Sequence, residues 1–186
     1  MSVIEIGRLE SITLDDLKRV MTGYVSNRKY AVEKMEGRDQ VVISAKLVDL
    51  GEPYVKNFPI RHDEIEHFQQ VVRQKLSFAA YCGGQLVGVA IAERRDWNRT
   101  LWVWELGVAE SHRRMGVGRQ LVETLAGEAK AVGLRIIVCE TQNTNVPAIE
   151  FYRKAGFELD GIDLSYYTNA DVKSGEVALF MKRKLE

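Results

Sequence analysis

Two short stretches hold the residue types that could do chemistry. Residues 111–121 read "SHRRMGVGRQL", with Arg113, Arg114, Gly116 and Gly118 immediately ahead of a helix-like pattern. Glycine lets backbone N–H groups approach a ligand closely, a helix N-terminus adds partial positive charge, and the arginines add fixed charge. An anion suits that set, and a phosphate suits it best. The second stretch, "LWVWELGV" at 101–108, is apolar on both faces except for Glu105. Strict alternation puts Glu105 in line with Leu101, Val103 and Gly107. A carboxylate buried there is costly, and desolvation raises its pKa toward neutrality. Such a group can take a proton from an ammonium ion; the competing reading is an ion pair with Arg99, Arg135 or another nearby arginine.

Other phosphate loops fit poorly. A P-loop needs Lys-Ser/Thr after its last glycine, where Arg119 and Gln120 stand. A dinucleotide turn could use Gly116, Gly118 and a later Glu140, but Leu121 occupies its third glycine and the stretch from Val108 to Gly116 is too long. Cys139 as an acyl-carrying nucleophile lacks a nearby histidine, so a buried strand thiol is the better reading.

The elements that must position these groups follow from periodicity. "VIEIGRL" reads as a strand, and Thr13 caps a helix carrying Leu14, Leu17, Val20 and Met21. "RKYAVEKMEGRDQ" is polar and reads as helix or loop. "VVISAKLVDL" is a strand, "GEPYVKNFP" a Gly/Pro-punctuated connection, and "DEIEHFQQVVRQ" a helix. Gly83 and Gly84 join two strands in a hairpin, and "TLWVWELGV" is a further strand. Leu121, Val122, Leu125, Ala126 and Ala129 mark a helix ending near Gly133. "LRIIVCE" is a strand, "VPAIEFYRKAG" a helix opened by Pro147, "FELDGI" a short strand, "YYTNADVKSGE" a loop and "VALFMKRKL" the closing strand. The pattern is α/β in the α+β sense: a mixed, mostly antiparallel central sheet with helices on both faces, in one domain spanning 1–186.

Composition narrows the classes. Lys plus Arg equal Asp plus Glu at 26 each, so there is no basic excess to suggest a nucleic-acid partner. No apolar run is long enough to cross a bilayer, and the start resembles no leader. Two cysteines and three histidines make neither a disulfide framework nor a metal set. The expectation is a reduced, cytoplasmic protein.

"RRMGVG" fits an Arg/Gln-x-x-Gly-x-Gly/Ala loop, preceded by the "ELGV" strand and followed one strand later by "NVPAIEFYRKAGF". Together these resemble the GNAT superfamily of acyl-CoA N-acyltransferases, over roughly Leu76 to Leu185. The resemblance implies acetyl-CoA as co-substrate, its pyrophosphate on Arg113, Arg114, Met115, Gly116, Val117, Gly118 and Arg119. It implies main-chain contacts to the pantetheine arm from Leu106, Gly107 and Val108, between splayed strands. Asn145, Ala148 and Tyr152 match its Asn-x-x-Ala-x-x-x-Tyr helix. Asn145 is then a coenzyme contact as well as a helix cap, and Tyr152 the acid that protonates the departing thiolate, where the plain alternative is a core tyrosine. Glu105 stands where the family often has its general base.

"DWNRTLWVWELGV", "ETQNTNVPAIEFYRKAGFELDGID", "GEVALFM" and, earlier, "LVDLGEPYVKNFP" resemble the streptothricin (nourseothricin) acetyltransferases. The implied reaction is direct attack by a primary amine on the thioester, with no metal. A protein lysine or N-terminal acetyltransferase and a non-catalytic acyl-CoA-binding domain are the rivals, and a homodimer stays open. The chain departs from that subfamily in one place: its dense acidic run is here "IRHDEIEHFQQVVRQK", where Arg61, Arg73 and Lys75 offset Asp63, Glu64 and Glu66. That predicts weak activity toward a polycationic streptothricin. Trp97, Trp102, Trp104, Tyr166 and Tyr167 read as packing residues, with Trp97 and the tyrosines the ones placed to touch an acceptor.

Overall fold

The computed structural model describes residues 3–185. In chain order its elements are β1 (Ile4–Arg8), α1 (Leu14–Val20), β2 (Tyr24–Glu36), β3 (Val41–Lys56), α2 (His62–Val72), β4 (Phe78–Cys82), β5 (Gln85–Arg95) and β6 (Thr100–Val108). There follow α3 (Val117–Ala131), β7 (Ile136–Gln142), α4 (Val146–Lys154), β8 (Glu158–Asp163), α5 (Asp171–Ser174) and β9 (Ala178–Lys184). The chain divides into two compact units. The first holds the residues up to Thr22, Asn57–Cys139 and the chain from Arg183 on; the second holds Gly23–Lys56 and Glu140–Lys182.

In the first unit the strand order is β1-β4-β5-β6-β7. The pairs are antiparallel except β6 with β7, which run parallel and are joined through α3. Gly83 and Gly84 turn the β4–β5 hairpin at φ 57° and 80°, a region that glycine enters without strain. Thr13 and Asp16 form a reciprocal capping box at the start of α1, whose Leu17 and Val20 are buried. Two glycines show which face each helix covers. A Cβ on Gly88 would meet Val117 and Leu121 of α3, whereas one on Gly107 would meet Val20 of α1. Gly107 stands opposite Val89, the neighbour of Gly88, so the two glycines face opposite sides of the sheet. Helices therefore cover both faces, as expected from the sequence.

In the second unit the order is β7-β9-β8, with β8 and β9 antiparallel. Asn145 and Pro147 open α4, and Asn143 ties the unit together by donating to Tyr30 O at 2.8 Å and accepting from Val177 N at 2.8 Å.

Two sequence readings are corrected here. "RKYAVEKMEGRDQ" is neither helix nor loop but most of β2 and its turn, closed by Gly37 N–H donating to Gln40 O at 2.8 Å. The alternation is present in Ser26, Tyr30 and Val32, all buried, but it is diluted by charges because the far half of the hairpin is solvated on both faces. "GEPYVK" is not a connection but part of β3. Its Gly51 and Pro53 lie where the ladder shifts register between Ser26 and Arg28, so the punctuation marks an irregularity inside a strand. The expected loop at 166–176 also contains one short helix, α5.

Candidate active site

The glycine loop is built in the first unit. After β6, Ala109 N–H donates to Val87 O at 2.8 Å, which fixes where the chain leaves the sheet. The Arg113 guanidinium then reaches back, with Nε donating to Val108 O at 3.2 Å and Nη2 to Thr22 Oγ1 at 2.5 Å. Arg114 (φ 62°) and Gly116 (φ 83°) take the left-handed turns that aim the chain into α3. Because α3 starts at Val117, the N–H groups of Val117, Gly118 and Arg119 have no carbonyl one turn earlier to bond. They form an anion-accepting end, flanked by exposed Arg114, Met115 and Arg119. The structure thus divides what the sequence left undivided: Arg113 braces the loop, and the first N–H groups of α3 are left without a partner inside the helix. Thr22, the brace's partner, carried no sequence signal.

Glu105 is positioned by a break in β6. Ile91 stands opposite Glu105, yet the next residue, Ala92, stands opposite Val103. Trp104 is therefore an extra residue, a β-bulge, and alternation restarts after it. The expectation that Glu105 lines up with Leu101 and Val103 is corrected: the bulge moves it to the other face, where it keeps company with Gly107. An Oε1 lying 3.2 Å from where a Cβ on Gly107 would sit agrees with that face. Burial of its carboxyl pushes the pKa up to about 7, a backbone hydrogen bond from Leu106 opposes this, and the charge of Glu64 on α2 adds to it. No ion pair to Arg99 or Arg135 forms: Arg135 Nε donates to Asn98 O at 2.9 Å, and no salt bridge to Glu105 occurs among the described residues.

Beyond the bulge the strand opens. β6 pairs with β7 only from Thr100 to Val103, while its pairing with β5 continues to Val108. Leu106, Gly107 and Val108 consequently lie on a length of β6 whose second edge carries no ladder pair to β7. Gly107 is required by closeness, since a Cβ there would lie 2.9 Å from Val20 O.

The remaining expected residues lie in the second unit. Asn145 caps α4, accepting from Ala148 N–H at 3.2 Å, so its cap role is met. Tyr152 is 8% exposed, its ring 5.5 Å from that of Phe151 and 5.4 Å from that of Phe157. Tyr167 donates to Glu140, whose carboxyl is raised by burial. Cys139, in the first unit, is buried in β7 as an inert thiol would be. Of the tryptophans, Trp97 is 85% exposed, whereas Arg95 covers Trp102 at 3.8 Å and Trp104 Nε1 donates to Glu93 at 3.0 Å.

Comparison with known proteins bears on the family and the fold. A profile of the acetyltransferase (GNAT) family matches residues 47–157. A streptothricin acetyltransferase of Streptomyces lavendulae is 37% identical over 98 residues, covering 53% of this chain and 51% of that protein. The chain thus spans about half the length of that curated relative. The crystal structure of nourseothricin acetyltransferase superposes with TM-score 0.75 at 26% identity, over 98% of this chain and 99% of that one. A Bacillus anthracis str. Ames structure in complex with acetyl coenzyme A shares the fold, with TM-score 0.74 and 24% identity over 99% of each chain.

Proposed function

The chain belongs to the acetyltransferase (GNAT) family, and from that premise we propose that it transfers an acetyl group from acetyl-CoA to a primary amine of a small molecule, with residues 1–186 as one functional domain. The observation that carries this reading is the run of β6. One strand holds Glu105, with its pKa near 7, and leads within a few residues into the braced loop and the bare amides of α3. In this reading the amides of Val117, Gly118 and Arg119 bind the pyrophosphate, with Arg114 and Arg119 adding charge. The pantetheine arm lies along the open edge of Leu106, Gly107 and Val108. Glu105 takes a proton from the ammonium group, and the freed amine attacks the thioester carbonyl. The C–N bond forms, the C–S bond breaks, the thiolate leaves with a proton supplied by Tyr152, and the second proton shed by the acylated nitrogen restores the Tyr152 phenol. Asn145 and Ala148 complete the coenzyme contacts.

The similarity to streptothricin acetyltransferases favours a small-molecule acceptor over a protein lysine or N-terminus. A non-catalytic acyl-CoA-binding domain would not need a carboxyl held near neutrality. The test follows free thiol release from acetyl-CoA across a panel of small amines, lysine peptides and peptides with free N-termini. Release with small amines alone is expected; release confined to peptides, or none, overturns the reading.

The partner proposed for the β2–β3 hairpin is a second copy of the chain. Among the described residues β3 is paired on one edge only, and Val41 and Ile43 on one of its faces are 54% and 42% exposed. A two-fold axis at Ala45 would set Ile43 of one copy against Leu47 of the other, and Lys46 against Ser44, so no like charges meet. Zero net charge adds no repulsion between copies. Sedimentation of the wild type and Ile43→Lys checks this: a dimer converted to monomer is expected, and a monomeric wild type refutes it.

A further inference from the structure

Among the described residues of the first unit, one buried polar atom is left unanswered by the protein itself. His67, on α2, has its Nε2 buried with no hydrogen-bond partner among the described residues. Its ring stands edge-on to Trp104, with centroids 4.5 Å apart and planes at 82°, and lies 5.9 Å from Phe68. Trp104 is the bulge residue immediately before Glu105. Glu64, one turn before His67 on the same helix, is the carboxylate whose charge reaches Glu105. His67 and the proposed base therefore belong to one side-chain neighbourhood on one face of the sheet.

Polar groups on the same helix and around Trp104 are committed elsewhere. Glu64 accepts from Arg61 N–H at 2.8 Å, Trp104 Nε1 donates to Glu93, and the Arg95 guanidinium covers Trp102. A leucine or phenylalanine could make the same apolar contacts without burying an unpaired nitrogen, so the histidine costs stability where it stands. Buried unpaired groups of this kind call for an explanation outside the chain's own bonding.

We propose that His67 Nε2 is a contact for the acceptor amine, accepting a hydrogen bond from one of its N–H groups while Glu105 takes the reacting proton. The proposal rests on the acetyl-transfer reading for the identity of its ligand, an amine. Neutral imidazole offers one acceptor nitrogen, and a donor-rich amine is the chemistry that pairs with it. Trp104 supports the ring from one side and thereby orients that nitrogen. The bulge would thus serve two residues, turning Glu105 to this face and giving His67 its support.

The test measures binding without turnover. Nourseothricin, a lysine tripeptide and a peptide with a free N-terminus are titrated calorimetrically into coenzyme A-saturated wild type, His67→Leu and His67→Gln. For the amine that wild type binds, His67→Leu should weaken affinity about tenfold or more, and His67→Gln, which retains an acceptor oxygen, should recover part of it. Coenzyme A affinity should stay constant, and the melting temperature of His67→Leu should equal or exceed that of wild type, since an unpaired polar atom has gone. Unchanged amine affinity in His67→Leu overturns the proposal, as does a wild type that binds none of the three amines. Weakened amine binding without thiol release from acetyl-CoA would instead refute the transfer reading and leave the His67 contact standing.

Discussion

Arg113 donates back to the carbonyl of Val108, five residues earlier, and its second arm holds Thr22 Oγ1. The arginine therefore closes the loop onto the end of β6 and onto the chain after α1. Replacing it with alanine should loosen the loop more than it removes charge. Gly118→Asp separates the two effects. An acidic side chain in the first turn of a helix favours the helix by about 0.3–1 kcal/mol. The melting temperature should hold or rise while acetyl-CoA affinity falls severely. Calorimetric titration beside a thermal melt checks this; unchanged affinity would remove the loop from the coenzyme site.

Glu105 should set a pH dependence of both rate and stability. In the proposed role of base it would act ionised, so kcat/KM should rise through an inflection near pH 7. Glu105→Gln should lose that limb and about 10²–10⁴-fold of turnover. Stability should run the other way. The folded pKa lies above the ordinary 4.5, so the native state holds the proton more tightly than the unfolded chain. Wild type then loses stability as pH rises from about 4.5 to about 7, where burying the charge becomes costly, and levels off above. Glu105→Gln should show a flatter melting profile over that window. Parallel profiles would show that the carboxyl titrates normally.

Gly107→Ala tests how closely α1 and β6 approach. The added Cβ would lie 2.9 Å from Val20 O and 3.1 Å from Val20 Cβ, so one of the two elements must move. Overpacking of this kind costs about 1–3 kcal/mol. Chemical denaturation should show the loss, and activity should fall further because Oε1 of Glu105 is the next nearest atom. Wild-type stability in the variant would mean that α1 and β6 can part without cost.

Tyr152→Phe removes the phenol and keeps a ring that packs beside Phe151 and Phe157. Turnover should drop while acetyl-CoA affinity and melting temperature barely change. Equal turnover across the pH range would leave Tyr152 a packing residue.

The parts legible in the sequence are those where one face is buried and one wet, or where glycine punctuates. The Gly83–Gly84 hairpin, α3 with its glycine entry, and α4 opened by Asn145 and Pro147 all occur where the pattern puts them. The bulge at Trp104 is invisible because β6 is apolar on both sides of it, so an extra residue changes no apolar–polar alternation. Its consequence, the face on which Glu105 lies, is illegible for the same reason. The β2 strand was hidden by its charges, which a hairpin solvated on two sides tolerates. His67 looked like one polar residue on an amphipathic helix; only the ring beneath it and the missing partner of Nε2 single it out.

The charge pattern of α2 bears on the acceptor. Arg61 Nε pairs with Asp63 at 3.2 Å, and its Nη2 lies 3.9 Å from Glu64. Two of the three acids at the start of the helix therefore face a cation of their own chain. In the second unit, Glu176 is likewise paired with Lys56 at 2.7 Å, and Glu140 is raised by burial and bonded to Tyr167. Carboxylates answered in this way project little field into solvent, and a polycation gains little local concentration from them. A streptothricin-type drug should then be a poor substrate, with high KM more than low kcat. Arg61→Ala should lower that KM, most at low ionic strength, by freeing Asp63 and Glu64 at once. The measurement is nourseothricin acetylation kinetics at two salt concentrations, beside growth of a sensitive bacterium expressing the protein. Strong resistance, with a low and salt-insensitive KM, would mean that the drug is held by contacts other than this field, and that the missing acidic run decides nothing.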